Sequence, residues 1–157
     1  LVNGSRSRPS VVIVGAGFGG LEVGRGLAKA NVRVTVIGQR NHHLFQPLLY
    51  QVATASLATS EIAWPIRSLL RRYDNVMTLL GRVVGVNSGG KTVLLTDGAA
   101  VPFDTLVLAT GARHAYFGHD EWERYAPGLK TLEDAKTIRR RAIRFHRPLC
   151  HSARRLS

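Results

Sequence analysis

Three glycines at positions 15, 17 and 20, in the run GAGFGG, have the Gly-x-Gly-x-x-Gly spacing that suits a turn wrapped around a phosphate group. Each has a separate task in such a turn. Gly15 permits a tight reversal, Gly17 lets the backbone approach a pyrophosphate, and Gly20 lets the following helix pack close to the preceding strand. The phosphate charge then rests on the helix N-terminus, where unsatisfied N–H groups and the helix dipole favour an anion. Other chemistry is harder to build from these residues. None of the tyrosines has a lysine four residues on, so a Tyr-x-x-x-Lys proton-transfer pair is excluded. Ser5, Ser10 and Ser56 lack the Gly-x-Ser-x-Gly setting of an activated nucleophile. His114, His119, Asp120 and Glu123 fit no standard zinc or calcium spacing, and no metal site is expected. Cys150 is the single cysteine, which excludes an internal disulfide and any paired-thiol redox centre. No residue is assigned a catalytic role.

A glycine turn of this kind carries weight only between a strand and a helix. Residues 10–20, SVVIVGAGFGG, form a β-branched run closed by glycines, the pattern of a buried parallel strand. Residues 21–30 place Leu21, Leu27 and Ala28 as the apolar positions of a helix, in which Gly24 and Gly26 each cost about 1 kcal/mol against alanine. Residues 32–37, VRVTVI, read as a second buried strand, which completes a βαβ unit. A helix is expected over 61–72, with Pro65 tolerable only near its first turn, and a strand over 76–80. Three short strands follow, separated by Gly89-Gly90 and Asp97-Gly98, which signal hairpins. Residues 105–111, TLVLATG, then return as a buried strand. This order predicts an α/β fold: a Rossmann-like three-layer domain with an inserted β-meander. A last helix over 131–145 opens with a capping-box-like Thr131-x-x-Asp134 and aligns Leu132, Ala135, Ile138, Ala142 and Phe145 on one face.

The chain has 157 residues, enough for one ordinary domain, and its apolar fraction of 45% with 20% charged residues is that of a folded protein. No apolar run reaches the roughly 18–20 residues that span a bilayer, and the N-terminal LVNGSRSRPS reads as a polar lead-in, residues 1–9. A cytoplasmic setting is the default expectation. The net charge of +12 is unevenly spread: residues 1–134 carry +4 and residues 135–157, which hold no acid, carry +8.

The glycine fingerprint does not select its nucleotide. The return strand does more, because an Ala-Thr-Gly turn after a β-meander is similar to the second signature of flavin domains and points to FAD. Residues 40–58, RNHHLFQPLLYQVATASLA, make the likeness specific. With GAGFGGLE before them and DTLVLATGARHAYFGHDEWERYAPGLKTLEDA after them, the chain resembles the N-terminal FAD-binding part of type II NADH dehydrogenases. These are single-subunit, non-proton-pumping NADH:quinone oxidoreductases of the pyridine nucleotide-disulfide oxidoreductase superfamily. The resemblance runs from about residue 10 to about residue 141. It implies FAD as cofactor, NADH as hydride donor, a membrane quinone as acceptor, and attachment of full-length relatives to the cytoplasmic face of the inner membrane through a C-terminal segment. Disulfide-reducing relatives carry a cysteine pair after the second strand, whereas LFQPLLYQVATASLA has none, so electrons would leave flavin for a diffusible acceptor.

Carried over residue by residue, the resemblance implies that Gly15, Gly17 and Gly20 hold the FAD pyrophosphate and that Gln46, Pro47 and Leu48 lie along the flavin. The backbone of Val83 would meet the adenine, and Ala109, Thr110 and Gly111 would close over the phosphate region. His42 and His43 match the family pattern and receive no proton-transfer role. Residues 112–130 read as a connector loop, with Tyr116 and Trp122 as packing residues.

The 157 residues hold no second glycine fingerprint for NADH, and residues 142–157 diverge into a basic, acid-free tail. The expectation is therefore a truncated or frameshifted product that retains the FAD-binding half, residues 10–141. Two alternatives stand beside it: a non-enzymatic nucleotide- or nucleic-acid-binding module using the basic end, and a small NAD(P)-dependent reductase. Nucleic acid is not the expected partner, because no recognition fold accompanies the charge.

One position departs from the pattern. Folds of this kind close the second strand with an acid that holds the adenosine ribose, and here Gly38 stands there, followed by Gln39. Alternation along the strand points Gln39 the other way unless the chain bends. Loss of a charge-assisted hydrogen bond costs about 1.5–3 kcal/mol, or roughly one to two decades of affinity. FAD binding weaker than in acid-bearing relatives is expected, and Gly38→Asp should lower the dissociation constant measured by calorimetry.

Overall fold

The computed structural model describes residues 8–146, so the lead-in before residue 8 and the tail beyond residue 146, Cys150 included, lie outside the described residues. In chain order β1 (Ser10–Val14), α1 (Phe18–Gly26) and β2 (Arg33–Gly38) come first, then β3 (His42–Leu44). A 3-10 turn (Gln46–Leu48), α2 (Leu49–Ala53), α3 (Thr59–Ile62) and β4 (Ala63–Pro65) follow. Next are α4 (Ile66–Leu70), β5 (Val76–Leu80), β6 (Val83–Asn87), β7 (Thr92–Leu95), β8 (Ala100–Pro102) and β9 (Thr105–Leu108). A second 3-10 turn (Asp120–Arg124) and α5 (Leu132–His146) complete the order. The chain divides into two compact units, one of residues 8–43 and 64–111, the other of residues 44–63 and 112–146. Among the described residues no helix is long and apolar enough to cross a membrane.

The first unit is built on a parallel sheet of order β5-β2-β1-β9. Val11 and Ile13 of β1 pack with Val34 and Val36 of β2 against Leu21 of α1 and Ile66 and Leu70 of α4. The opposite face carries Val12, Val14 and Ile37, which pack on Val93 and Leu95 of the meander. Both faces of β1 and β2 are thus covered, which is why these strands read as unbroken apolar runs. Burial of each such side chain contributes about 1.5–3 kcal/mol. The three layers are therefore helices, parallel sheet and antiparallel meander. The meander β6-β7-β8 pairs as the two hairpin signals require, with Val83 opposite Leu95 and Val93 opposite Val101.

Several boundaries differ from expectation. The first helix runs from Phe18 to Gly26 rather than over 21–30, because it springs directly from the glycine turn with Gly17 as its N-cap. It stops early where Leu27 and the bonds Ala28 N–H to Arg25 O and Ala30 N–H to Leu27 O turn the chain. The side-chain amide of Asn75 stitches that turn, donating to the carbonyls of Leu27, Ala30 and Val32 at 3.0–3.2 Å. The second strand is shifted by one residue and includes Gly38. The return strand ends at Leu108, and Gly111 takes a positive φ of 75° in the turn beyond it.

The helix expected over 61–72 is broken into α3, β4 and α4. Pro65 has no N–H to donate and biases Trp64 toward extended backbone, so the chain straightens through Ala63–Pro65 and restarts a helix with Pro65 as N-cap. The Ile66 N–H bonds instead to the Asn41 carbonyl at 2.9 Å.

In the second unit Leu49, Val52 and Ala53 of α2 pack with Ile62 of α3 and with Leu132 and Ala135 of α5. Ile138 joins this cluster, but Ala142 is exposed, so the buried face of α5 is shorter than its sequence period, and the Phe145 side chain lies outside the described residues. The helix itself continues to His146, past the point at which the tail was expected to begin.

Its N-terminus is capped reciprocally. Thr131 Oγ1 accepts the Asp134 N–H at 3.1 Å, while Asp134 Oδ2 accepts the N–H groups of Thr131 at 2.8 Å and Lys130 at 3.0 Å. Partial burial alone would raise the Asp134 carboxyl, but hydrogen bonds from Lys130 and Thr131, aided by His114, hold it below the usual carboxylate range. A depressed acid stabilises the fold fully above its unfolded-state value and loses that contribution as pH falls through its folded value. Asp134→Asn should therefore melt below wild type at neutral pH, and the gap should close as pH drops below the ordinary carboxylate range. Equal melting temperatures at pH 7 by circular dichroism would remove Asp134 as a cap.

Candidate dinucleotide turn

At the carboxyl end of the parallel sheet, three stretches of backbone converge on Gly15. Its N–H donates to the Ile37 carbonyl of β2 at 2.8 Å, and its φ is 109°. A Cβ on Gly15 would collide with the carbonyl of Ala109, just beyond β9. Ala109 is fixed there by its own N–H, which donates to Val14 O at 2.8 Å. A Cβ on Gly20 would collide with the Gly15 carbonyl, so this glycine sets how closely α1 approaches the turn. Gly17 differs from both: a Cβ there would meet nothing within 4 Å, and the same holds for Gly19.

The steric tasks read from the spacing for Gly15 and Gly20 are visible in these contacts. Gly15 and Gly20 are required by the fold, whereas the space at Gly17 is left open by the protein. The helix that begins there has no side-chain cap and no acid in its first turn. Among the described residues no side chain caps that helix start, so the turn fits a pyrophosphate group.

The other expected cofactor contacts fall in two places. Ala109, Thr110 and Gly111 form the turn directly beside Gly15, with the Thr110 nitrogen 3.2 Å from where a Gly15 Cβ would stand. Val83 opens the meander at the same end of the sheet, two residues after Gly81, whose N–H donates to Gly38 O at 2.9 Å. Gln46, Pro47 and Leu48 form a 3-10 turn in the second unit. Gln46 and Pro47 are exposed, and Leu48 is half-buried against the α2–α5 cluster.

Gly38 is buried at the end of β2, where a Cβ would stand 3.1 Å from Ala16 Cβ and 3.2 Å from the Arg40 carbonyl oxygen. The position does face the glycine turn, but an acid there must displace its neighbours by a few tenths of an ångström. The chain does bend at residues 39–41, and Gln39 is exposed.

His43 is the support that spacing did not reveal. It is buried, its Nδ1 lies 3.3 Å from the Ala16 carbonyl, and its ring meets Phe18 edge-on with centroids 4.8 Å apart. A carbonyl only accepts, so the proton in this contact sits on Nδ1. The histidine thus ties β3 to the middle of the glycine turn. Only the bend after β2 brings it there, and the adjacent His42-His43 pair gave no sign of which ring would turn inward.

The connector in the second unit also departs from expectation. Trp122 is 48% exposed and stacks on His119 with centroids 4.3 Å apart, so it is not a core residue. Tyr116 is half-buried and donates its hydroxyl hydrogen to Ala126 O at 2.8 Å. No three histidine, cysteine or acidic side chains among the described residues are grouped to hold a metal ion.

The sheet order, the glycine turn and the meander layer together define a Rossmann-type α/β domain. The chain belongs to the pyridine nucleotide-disulphide oxidoreductase family, whose model matches residues 9–151. Its likeness to type II NADH dehydrogenases is borne out by 46% identity over 139 residues to a type II NADH:quinone oxidoreductase of Mycobacterium tuberculosis. That alignment covers 87% of this chain and 30% of the relative. The sulfide:quinone oxidoreductase of Aquifex aeolicus shares the fold, with a TM-score of 0.80 at 24% identity, over 88% of this chain and 32% of that one. The NDH2 of Plasmodium falciparum, solved in complex with NADH, gives a TM-score of 0.75 at 25% identity, over 84% of this chain and 28% of that one. The chain thus spans about a third of the length of these relatives.

The geometry separates two glycine variants. Gly20→Ala forces α1 away from the turn and should destabilise the fold by about 1–3 kcal/mol in denaturant unfolding. Gly17→Ala has room for its methyl group and should change stability by no more than about 0.5 kcal/mol. The reverse ranking would contradict the turn described here.

Proposed function

We propose that this chain is the FAD-binding part of an NADH:quinone oxidoreductase. The observation that carries the reading is the open, uncapped helix start at Gly17, framed by two glycines that the fold itself requires. In this reading the turn of Gly15, Gly17 and Gly20 binds the pyrophosphate, and residues 109–111 close beside it. Val83 backbone meets the adenine, while Gln46, Pro47 and Leu48 contribute to the flavin end. When bound, flavin accepts a hydride and passes electrons onward. The protein groups orient the cofactor and neutralise its charge. The name of the Mycobacterium tuberculosis relative, a type II NADH:quinone oxidoreductase, supports NADH as donor and quinone as acceptor for the whole enzyme.

Hydride transfer also needs nicotinamide held against the flavin ring, a positional advantage of several kcal/mol. These 157 residues contain one glycine fingerprint and no second one for that task. By itself this stretch is therefore proposed to bind FAD without turning over NADH.

Purified protein reconstituted with FAD should be yellow and bind one FAD per chain by calorimetry. Gly17→Ala should weaken that binding by about tenfold or more, because its methyl group occupies pyrophosphate space. NADH-dependent quinone reduction should not exceed that of free FAD. A colourless protein with no calorimetric signal would defeat the binding claim, and quinone reduction above the free-flavin rate would defeat the inactivity claim.

A further inference from the structure

Gly38 decides more than the strength of binding. Resting on the reading of the glycine turn as a dinucleotide site, we propose that this site does not discriminate against a phosphate on the 2′-oxygen of the adenosine ribose. It takes 2′-phosphorylated adenosine dinucleotides as readily as unphosphorylated ones, and Gly38 is the specificity-determining position.

An acid at the end of the second strand does two things in folds of this kind. It accepts hydrogen bonds from the ribose hydroxyls, and its charge repels a ribose phosphate. Where the acid is absent, a nearby arginine accommodates that phosphate. The end of β2 is held in place here from two sides. Ile37 O accepts the Gly15 N–H at 2.8 Å, and Gly38 O accepts the Gly81 N–H at 2.9 Å. Gly38 therefore lies against the turn, its Cβ position 3.1 Å from Ala16 Cβ, and residue 38 is where an acid would act.

No substitute acid lies nearby in the chain. From residue 23 to residue 60 the sequence contains none. The other acids of the first unit are engaged or remote. Glu22 is paired with Arg25 at 2.6 Å, and Asp97 accepts the Ala99 N–H at 3.0 Å in the β7–β8 turn. Asp104 accepts the Ser10 N–H at 2.6 Å where β1 begins, and Asp74 precedes β5, both at the end of the sheet opposite the turn. A cation stands close in the chain instead: exposed Arg82 directly follows Gly81, the residue bonded to Gly38. Position 38 carries no negative charge, and the nearest charged residue along that bonded backbone is a positive one.

The test compares ADP-ribose with 2′-phospho-ADP-ribose as competitors for bound FAD, read by the return of flavin fluorescence. Wild type should bind the two within about threefold of each other, or favour the phosphorylated form. Gly38→Asp should prefer ADP-ribose by about tenfold or more, while Gly38→Ala, which adds bulk without charge, should keep parity. Arg82→Gln, a surface change that does not depend on space at residue 38, should weaken the phosphorylated ligand selectively. A wild-type preference for ADP-ribose of about tenfold or more would overturn the proposal, as would FAD binding that neither competitor displaces. Absence of FAD binding itself would sink the underlying reading first, and this proposal with it.

Discussion

At Gly15 three segments of backbone meet more closely than side chains would allow. The Gly15 carbonyl lies against α1 at Gly20, its N–H reaches Ile37 of β2, and its Cα faces the carbonyl of Ala109. The rest of the first unit is arranged so that this meeting can occur. β2 supplies the acceptor only because it pairs in parallel with β1 over Ser10 to Val14. The Ala109 carbonyl reaches Gly15 only because the meander folds back and lets residues 105–108 pair with β1 on the other side. A turn of six residues thus depends on strand pairings that span most of the unit. Loop closure on that scale is slow to form, so the turn is completed when the fold is.

What can be read without coordinates follows from which forces are local. β1 and β2 are covered on both faces, and their unbroken Val/Ile runs announce it. The hairpin glycines and the capping box of Thr131 and Asp134 are local chemistry, and they stand where the spacing placed them. The failures occur where a distant partner decides. Residues 61–72 have a helical period, yet the Asn41 carbonyl takes the Ile66 N–H and Pro65 cannot continue the helix, so the segment breaks. Ala142 keeps the period of α5 but is exposed. In the candidate site Gly15 and Gly20 were legible because their tasks are steric. His43 was not, since its value comes from a bend that brings Nδ1 to Ala16 O.

This division also explains how a nucleotide turn persists beside the change at Gly38. Recognition of a pyrophosphate by backbone N–H groups and a helix dipole depends on the path of the chain, which Gly15 and Gly20 secure. Recognition of the ribose depends on one side chain, which can be lost without disturbing that path. On the proposed reading, the path of the chain at Gly15 and Gly20 secures the pyrophosphate, while residue 38 adjusts both affinity and selectivity at the ribose. Catalysis would rest on neither alone, because orienting a second nucleotide against a flavin needs a further binding surface.

On the proposed reading the anion is held by backbone at the start of α1. The most direct measurement is the amide NMR spectrum of isotope-labelled protein titrated with FAD. The largest shifts should fall on residues 15–20 and 109–111 and saturate at one FAD per chain. If FAD binds but those amides do not move, or the largest shifts cluster on the basic end of α5 around Arg139–Arg141, the account is wrong.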